Sequence, residues 1–216
     1  MEQDVTQERG PVRALRIGDR APVFQARSTR GEVRLDQYRG RWTVFFSHPA
    51  DFTPVCTSEF VALAKAAPRF AAMGCELLGL SVDSLYAHLA WVRAIQEIFG
   101  VVVSFPVIED PSMAIGRAYG MIDESAQDSS AMRAVYYIDP EGVIRAMSWY
   151  PLTVGRSVDE MLRVTAALQR TASGEVMTPE GWRPGDDLLL PPTLTMAEAL
   201  KPGAPQDWFY RKCKDK

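Results

Sequence analysis

The sequence predicts an α/β domain with a mixed central sheet flanked by helices, followed by a C-terminal extension. Apolar, β-rich runs alternate with stretches of helical periodicity between residues 42 and 120, the pattern of strands joined by crossover helices. Two further β-like runs, 134–138 and 143–149, flank Asp139-Pro140-Glu141-Gly142, a tight turn that makes part of the sheet antiparallel. Beyond residue 170 the periodicity gives way to interspersed Gly, Pro and Trp. The 216 residues suffice for one well-cored domain and an appendage, here divided as 1–170 and 171–216.

In chain order, residues 1–20 read as a mobile arm leading into a first short element. Within 23–35, two β-like pieces flank Ser28-Thr29-Arg30-Gly31, a hairpin in which Gly relieves the turn. Residues 42–46, WTVFF, form a buried strand, and 47–52 a polar loop containing a proline. Thr53 suits the N-cap of a helix and Pro54 its first position, where a missing N–H leaves nothing unpaired. Phe60, Leu63, Ala64 and Ala67 recur at helical spacing to about Met73, and Gly74 supplies the stop. Residues 76–82 read as a second buried strand, after which Asp83 and Ser84 cap a helix with the inner stripe Leu85, Leu89, Val92 and Phe99, ended by Gly100. The run 101–108 is β-like though disturbed by Pro106, Asp110-Pro111 opens a short helix ending near Gly120, and 121–131 is a polar loop. Ser157-Val158-Asp159-Glu160 is a capping box for a helix to about Arg170, with Met161, Leu162, Thr165 and Leu168 on one side. In the extension, Thr195 caps a short helix with Glu198 three residues on. Trp182, residues 188–190, Trp208 and Phe209 offer apolar surface, either to a partner subunit or to the domain itself.

Composition narrows the chemistry. With 47% hydrophobic and 24% charged residues and a formal charge of −3, the chain offers no broad basic attraction for nucleic acid or an anionic membrane, so a small-molecule substrate is expected. The first ten residues are acidic and polar rather than basic and then apolar, and no run approaches a membrane span, which points to the cytoplasm. Three widely spaced cysteines, 56, 75 and 213, do not form a secreted disulfide framework. Zinc is not expected either: there is no C-x-x-C, and His48 and His88 are not paired at ligand spacing.

Cys56 is the candidate nucleophile. It falls in the first turn of the helix that follows the 47–52 loop, where free backbone N–H groups and the positive end of the helix dipole lower a thiol's pKa from about 8.5 into the range of roughly 3.5–7.5. Pro49, Thr53 and Cys56 form Pro-x-x-x-Thr-x-x-Cys, with Glu59 three residues later. This resembles the active-site signature of the peroxiredoxins, thiol peroxidases built on a thioredoxin-like fold.

The resemblance implies a set of roles. Cys56 attacks a peroxide oxygen and becomes a sulfenic acid, the Thr53 hydroxyl positions the peroxide, and Pro49 shields the sulfur. Arg133, in Arg133-Ala134-Val135-Tyr136-Tyr137, matches the cation that holds thiolate and peroxide. Arg156, in YPLTVGR, matches a second arginine of the one-Cys-type subfamily with long C-terminal extensions, and Glu59 orients one of the guanidinium groups. His48 resembles the histidine of that subfamily's SHP segment and is expected to touch the pocket or tune the thiolate. His88 reads as an ordinary hydrogen-bonded histidine and Cys75 as inert core packing. Cys213, between lysines and after Trp208-Phe209-Tyr210, is a candidate resolving cysteine that a loose tail carries to Cys56. The implied substrates are hydrogen peroxide and alkyl hydroperoxides. The implied reductant is a thioredoxin-like protein or small thiol, no cofactor or metal is required, and a homodimer or ring of dimers is expected. The strand 143–149 is the candidate pairing edge. A thioredoxin-type disulfide oxidoreductase would need C-x-x-C, where Glu59 stands instead. Lipase activity would need a G-x-S-x-G-like turn, and Arg41 stands where the serine would fall. A chaperone-like or redox-relay oligomer is the remaining alternative; a holdase effect would survive loss of the Cys56 thiol, whereas peroxidase turnover would vanish.

Overall fold

The computed structural model describes residues 14–122, 131–193 and 195–215. Most of the expected N-terminal arm (1–13) and most of the 121–131 loop (123–130) lie outside the described residues.

The first hairpin, β1 (Gln25–Ser28) and β2 (Gly31–Arg34), turns where expected, with Gly31 at φ 96°. A 3-10 turn, Leu35–Tyr38, leads into β3 (Trp42–Ser47), followed by α1 (Pro54–Ala72), β4 (Cys75–Ser81), α2 (Leu85–Phe99), β5 (Val107–Glu109) and α3 (Ala114–Ala118). The second hairpin is β6 (Arg133–Ile138) with β7 (Ile144–Tyr150), and α4 (Val158–Arg170) closes the domain. Among the described residues the main sheet has seven strands in the order β2-β1-β5-β4-β3-β6-β7. The β3–β4 and β4–β5 pairs are parallel, whereas β3–β6 and β6–β7 are antiparallel, so the sheet is mixed.

The strand period explains the two-sided core. Val44 and Phe46 of β3 and Val135 and Tyr137 of β6 face a cluster with Phe60 and Leu63 of α1, Trp91 and Ile95 of α2, and Met161 and Leu162 of α4. The intervening Phe45, Ala134, Tyr136 and Ile138 face a second cluster with Leu78, Ile108, Tyr119 and Ile144. Both faces of the central strands are covered, which is why they read as continuous apolar runs.

Three local expectations are corrected. Of the run 101–108 only Val107 and Ile108 are in a strand, β5, which continues to Glu109, because Pro106 cannot donate to the ladder. The short helix begins later than Asp110-Pro111, at Ala114, with the Asp110 carboxylate accepting from the Gly116 N–H at 2.7 Å. The buried face of α2 is His88, Trp91 and Ile95, while Leu89 and Phe99 are exposed. Polar-looking His88 is drawn inward by a partner that the sequence does not place beside it.

The extension holds a two-stranded ribbon, β8 (Leu188–Leu189) and β9 (Lys212–Cys213), and a short helix α5 (Met196–Ala199) capped by Thr195, whose hydroxyl accepts from the Glu198 N–H at 3.2 Å. Val176, Trp182 and Leu188 make a small core against Ala166 and Ala167 of α4. Trp182 and Leu188 are thus covered by their own chain, whereas Phe209 remains 65% exposed.

Candidate active site

The site is built where β3 runs out. Ser47 ends the strand with its hydroxyl donating to the Met132 carbonyl and accepting from the Ala134 N–H, and His48 N–H donates to the Leu80 carbonyl at 2.9 Å. Loop 47–53 then turns sharply at Phe52, whose φ of 57° lies in the left-handed region. Such a conformation costs a non-glycine residue about 1–3 kcal/mol and persists only where the surroundings fix it. Thr53 is extended (φ −98°, ψ 148°) and Pro54 opens α1, as the sequence indicates. The Thr53 hydroxyl does not cap the helix, however; it donates to the Ala50 carbonyl at 2.8 Å. Its oxygen lone pairs therefore remain available to a donor outside the helix.

Cys56 lies in the first turn of α1 and has no exposed surface. Pro49 is buried too, and half-exposed Thr53 borders the solvent side. The Arg133 Nη1–H points at the Cys56 sulfur at 3.4 Å and donates to Glu59 Oε2 at 2.9 Å. The other edge of the same guanidinium donates twice to the Leu152 carbonyl, at 2.9 and 2.8 Å, which fixes the plane of the fork. Glu59, one turn after Cys56, also takes a bidentate pair from Arg156 (2.9 and 2.6 Å) and the Arg156 backbone N–H at 2.7 Å. Arg156 spends its remaining donors on the Ser47 and Ala134 carbonyls, at 2.8 and 2.9 Å, and its guanidinium lies 5.3 Å from the Phe46 ring centroid. All three ionic side chains are buried. Burial alone would raise the Glu59 pKa, but the Arg156 hydrogen bonds and charge, together with the Arg133 charge, hold it below the usual carboxylate range. One carboxylate thus anchors two guanidinium groups, one of which reaches the sulfur.

A second polar cluster lies on the other side of the loop. His48 and His88, far apart in sequence, meet at Asp51: His48 Nε2 is 2.8 Å from Oδ1 and His88 Nδ1 is 2.7 Å from Oδ2. This corrects the expectation that the two histidines stand apart, and among the described residues these three form a group with metal-ligand atoms within 4.8 Å of one another. Contacts of 2.7–2.8 Å are hydrogen-bond lengths, so a proton lies in each. His48 rests 4.8 Å from the Phe60 ring and 5.1 Å from the Trp91 ring. Burial lowers its pKa, outweighing the neighbouring Asp51 carboxylate, so His48 stays neutral. The Asp51 carboxyl is held below the usual range, because its hydrogen bonds to the two histidines outweigh the burial that would raise its pKa. Sequence reasoning missed Asp51 entirely. The available signal was a single acid in the short loop between a buried strand and the helix that carries Cys56.

The remaining cysteines lie elsewhere. Cys75, at the start of β4, is buried, and burial pushes its thiol up to about 12. The expectation of a loose tail at Cys213 is corrected: it pairs with Leu188 in the ribbon, packs in the small core on α4, and is flanked by the ion pairs Lys214–Asp187 and Arg170–Asp215. Ala166 and Ala167 lie eight and nine residues beyond the start of α4 at Val158, roughly 12 Å along the helix at 1.5 Å per residue. A disulfide needs its two Cα atoms within about 7 Å.

Comparison with known proteins agrees with this geometry. Residues 17–147 match the AhpC/TSA family, and residues 167–201 match the C-terminal domain of 1-Cys peroxiredoxin. The chain is 43% identical over 206 residues to a peroxiredoxin of Methanosarcina mazei, covering 92% of this chain and 94% of that one. It is 46% identical over 185 residues to peroxiredoxin 2 of Picrophilus torridus, covering 86% and 91%. Among solved structures, a yeast mitochondrial 1-Cys peroxiredoxin, studied for thiol resolution via glutathione/thioredoxin systems, superposes with a TM-score of 0.78 at 42% identity, covering 86% of this chain and 91% of that one. A cysteine-to-serine mutant of peroxiredoxin 6 from Arenicola marina gives 0.78 at 34% identity, covering 86% and 88%.

Proposed function

The chain belongs to the AhpC/TSA family of peroxiredoxins, and from that premise we propose that Cys56 is its peroxidatic residue. The protein is a thiol-dependent peroxidase. What supports Cys56 as its reactive sulfur is the arginine N–H aimed at it from 3.4 Å in the first turn of a helix.

The thiolate attacks the terminal oxygen of a hydroperoxide. An S–O bond forms, the O–O bond breaks, and the departing alkoxide or hydroxide takes up a proton, leaving sulfenic acid on Cys56 and releasing alcohol or water. Negative charge moves from sulfur towards the leaving oxygen, and Arg133 is placed to follow it. Thr53 gives its proton to Ala50 and so can accept the peroxide O–H. Pro49 shields the sulfur, Glu59 orients Arg133, Arg156 anchors Glu59, and His48 supports the pocket through Phe60. The substrates are hydrogen peroxide and alkyl hydroperoxides, and a thioredoxin-like protein or small thiol restores the cysteine; sulfur carries the electrons without a cofactor.

The compartment is the cytoplasm, where free thiols persist; among the described residues all three cysteines are free. No described helix is long and apolar enough to cross a membrane. The assembly is a homodimer, or a ring of dimers, pairing through β7, which lies at the sheet edge with Trp149 42% exposed. Residues 1–170 are the peroxidase domain, and 171–216 a subunit-contact arm presenting Phe209 and Tyr210. Cys213, paired with Leu188 in the β8–β9 ribbon, is the resolving candidate.

Rapid mixing of the reduced protein with hydrogen peroxide and an organic hydroperoxide tests the assignment. Fast oxidation of Cys56 is expected, slowed about 100-fold in Thr53→Val and in Arg133→Ala. Equal, slow rates in all three proteins would remove it.

A further inference from the structure

The peroxidatic loop carries Pro49 and Thr53 and contains the left-handed Phe52, so something must hold it. The residue before Phe52 is tied three ways. The Asp51 backbone N–H donates to Asp83 Oδ2 at 3.0 Å, its Oδ1 meets His48 at the end of β3, and its Oδ2 meets His88 on α2. Asp83 is itself held by the Ser81 hydroxyl at 2.7 Å. The loop is therefore fastened towards β4 through the Asp51 backbone N–H and to α2 through the buried Asp51 carboxylate.

Donor accounting fixes the character of that fastening. The Ile108 carbonyl only accepts, so His88 Nε2, 3.2 Å away, carries a proton. An ionised Asp51 also only accepts, so Nδ1 at 2.7 Å carries one as well. Both ring nitrogens of His88 thus face acceptors, an arrangement that calls for a proton on each beside a buried carboxylate. The groups facing it are Asp51 from the loop, His48 from β3, and Glu109 from β5, whose carboxylate feels the charge of His88. His48 needs only the Nε2 proton, which it donates to Oδ1, and its buried Nδ1 has no partner among the described residues.

We propose that Asp51 and His88 are positioning residues of this peroxidase: a buried carboxylate–imidazolium pair, 37 residues apart, that draws residue 51 onto α2 and thereby sets Phe52, Thr53 and Pro49 around Cys56. Neither residue touches the sulfur or a peroxide. The pair acts by keeping the Thr53 hydroxyl and the Arg133 fork in register, so its loss slows oxidation without altering the chemistry of the thiol. The proposal rests on Cys56 being the peroxidatic residue.

Two conservative variants separate the contacts of His88. The amide nitrogen of an asparagine stands where Nδ1 does and keeps a donor to Asp51, whereas that of a glutamine stands where Nε2 does and keeps only the donor to Ile108. Single-turnover oxidation of Cys56 by hydrogen peroxide is expected to fall about tenfold in His88→Gln and to be largely rescued in His88→Asn. The rate of Cys56 alkylation by iodoacetamide should be unchanged in both. In the wild-type protein, nitrogen NMR of the His88 ring should show both nitrogens protonated at neutral pH, a readout that does not depend on a variant folding. Equal losses in the two variants, or a bare Nδ1 in the spectrum, would overturn the proposal. If wild-type Cys56 itself reacts slowly with peroxide, the peroxidase assignment fails, and the NMR result still decides the state of the pair.

Discussion

The loop and first turn around Cys56 and the extension after α4 are both rich in charge, but they treat charge oppositely. Around Cys56, the Glu59, Arg133 and Arg156 side chains are no more than 3% exposed, and each donor edge of the two arginines has a named acceptor. In the extension, Lys214 is 83% exposed opposite Asp187, and the apolar core beneath comprises three buried residues. Buried charge is costly to desolvate and is retained only where geometry returns the cost, whereas an exposed pair contributes little. The first region is therefore rigid by electrostatic necessity, while the second is held by shallow packing that can be released without disturbing the site.

The largest expected effect comes from Glu59→Gln, which leaves two buried guanidinium groups without their anion. A destabilisation of about 3–5 kcal/mol is expected, read from the denaturation midpoint. A change under about 1 kcal/mol, the scale of a surface pair, would erase the contrast between the regions.

Acid should reproduce the same loss. The folded-state pKa values of Glu59 and Asp51 lie below their unfolded values, so their contribution is fully present above the ordinary carboxylate range, about pH 4. It is lost progressively as pH falls through the depressed folded values. Stability measured against pH should hold down to that range and then decline, and Glu59→Gln should flatten part of the decline. A variant with the wild-type slope would place the acid sensitivity elsewhere.

The smallest effect sharpens the comparison from the other side. Trp182→Ala should loosen the extension, seen as faster proteolysis after residue 170, while the single-turnover oxidation rate of Cys56 stays at its wild-type value. Global stability of the domain should move by no more than about 0.5 kcal/mol. A slowed oxidation would show that the arm supports the site, and the two regions would then be one unit.

Much of the site was legible in the chain because its key features are local. Thr53 and Pro54 mark the start of α1, and that start puts Cys56 in the first turn whatever the rest of the molecule does. The N-cap at Ser157 and the turn at Asp139–Gly142 were equally local: the Ser157 hydroxyl accepts from Glu160 N–H at 3.2 Å, though the Glu160 carboxylate turns to Arg163 instead of closing a capping box, and the Asp139 carboxylate accepts from Val143 N–H at 2.8 Å. The inner face of α2 was misread because Leu89 and Phe99 look more apolar than His88. A histidine goes inward when a carboxylate awaits it, and Asp51 arrives from a loop 37 positions earlier.

Sequence by itself determined the α/β alternation, the helix that starts beneath Cys56 and the short turn between β6 and β7, since each follows from backbone preferences over a few residues. Tertiary structure alone decided that Arg133 reaches the sulfur across 77 positions, that Glu59 serves two arginines, that the two histidines share one carboxylate, and that Cys213 is pinned in a ribbon. The physical reason is that a buried charge has no stable place until its partners surround it, and those partners converge only when the β3–β4–β6 sheet and its helices close around them.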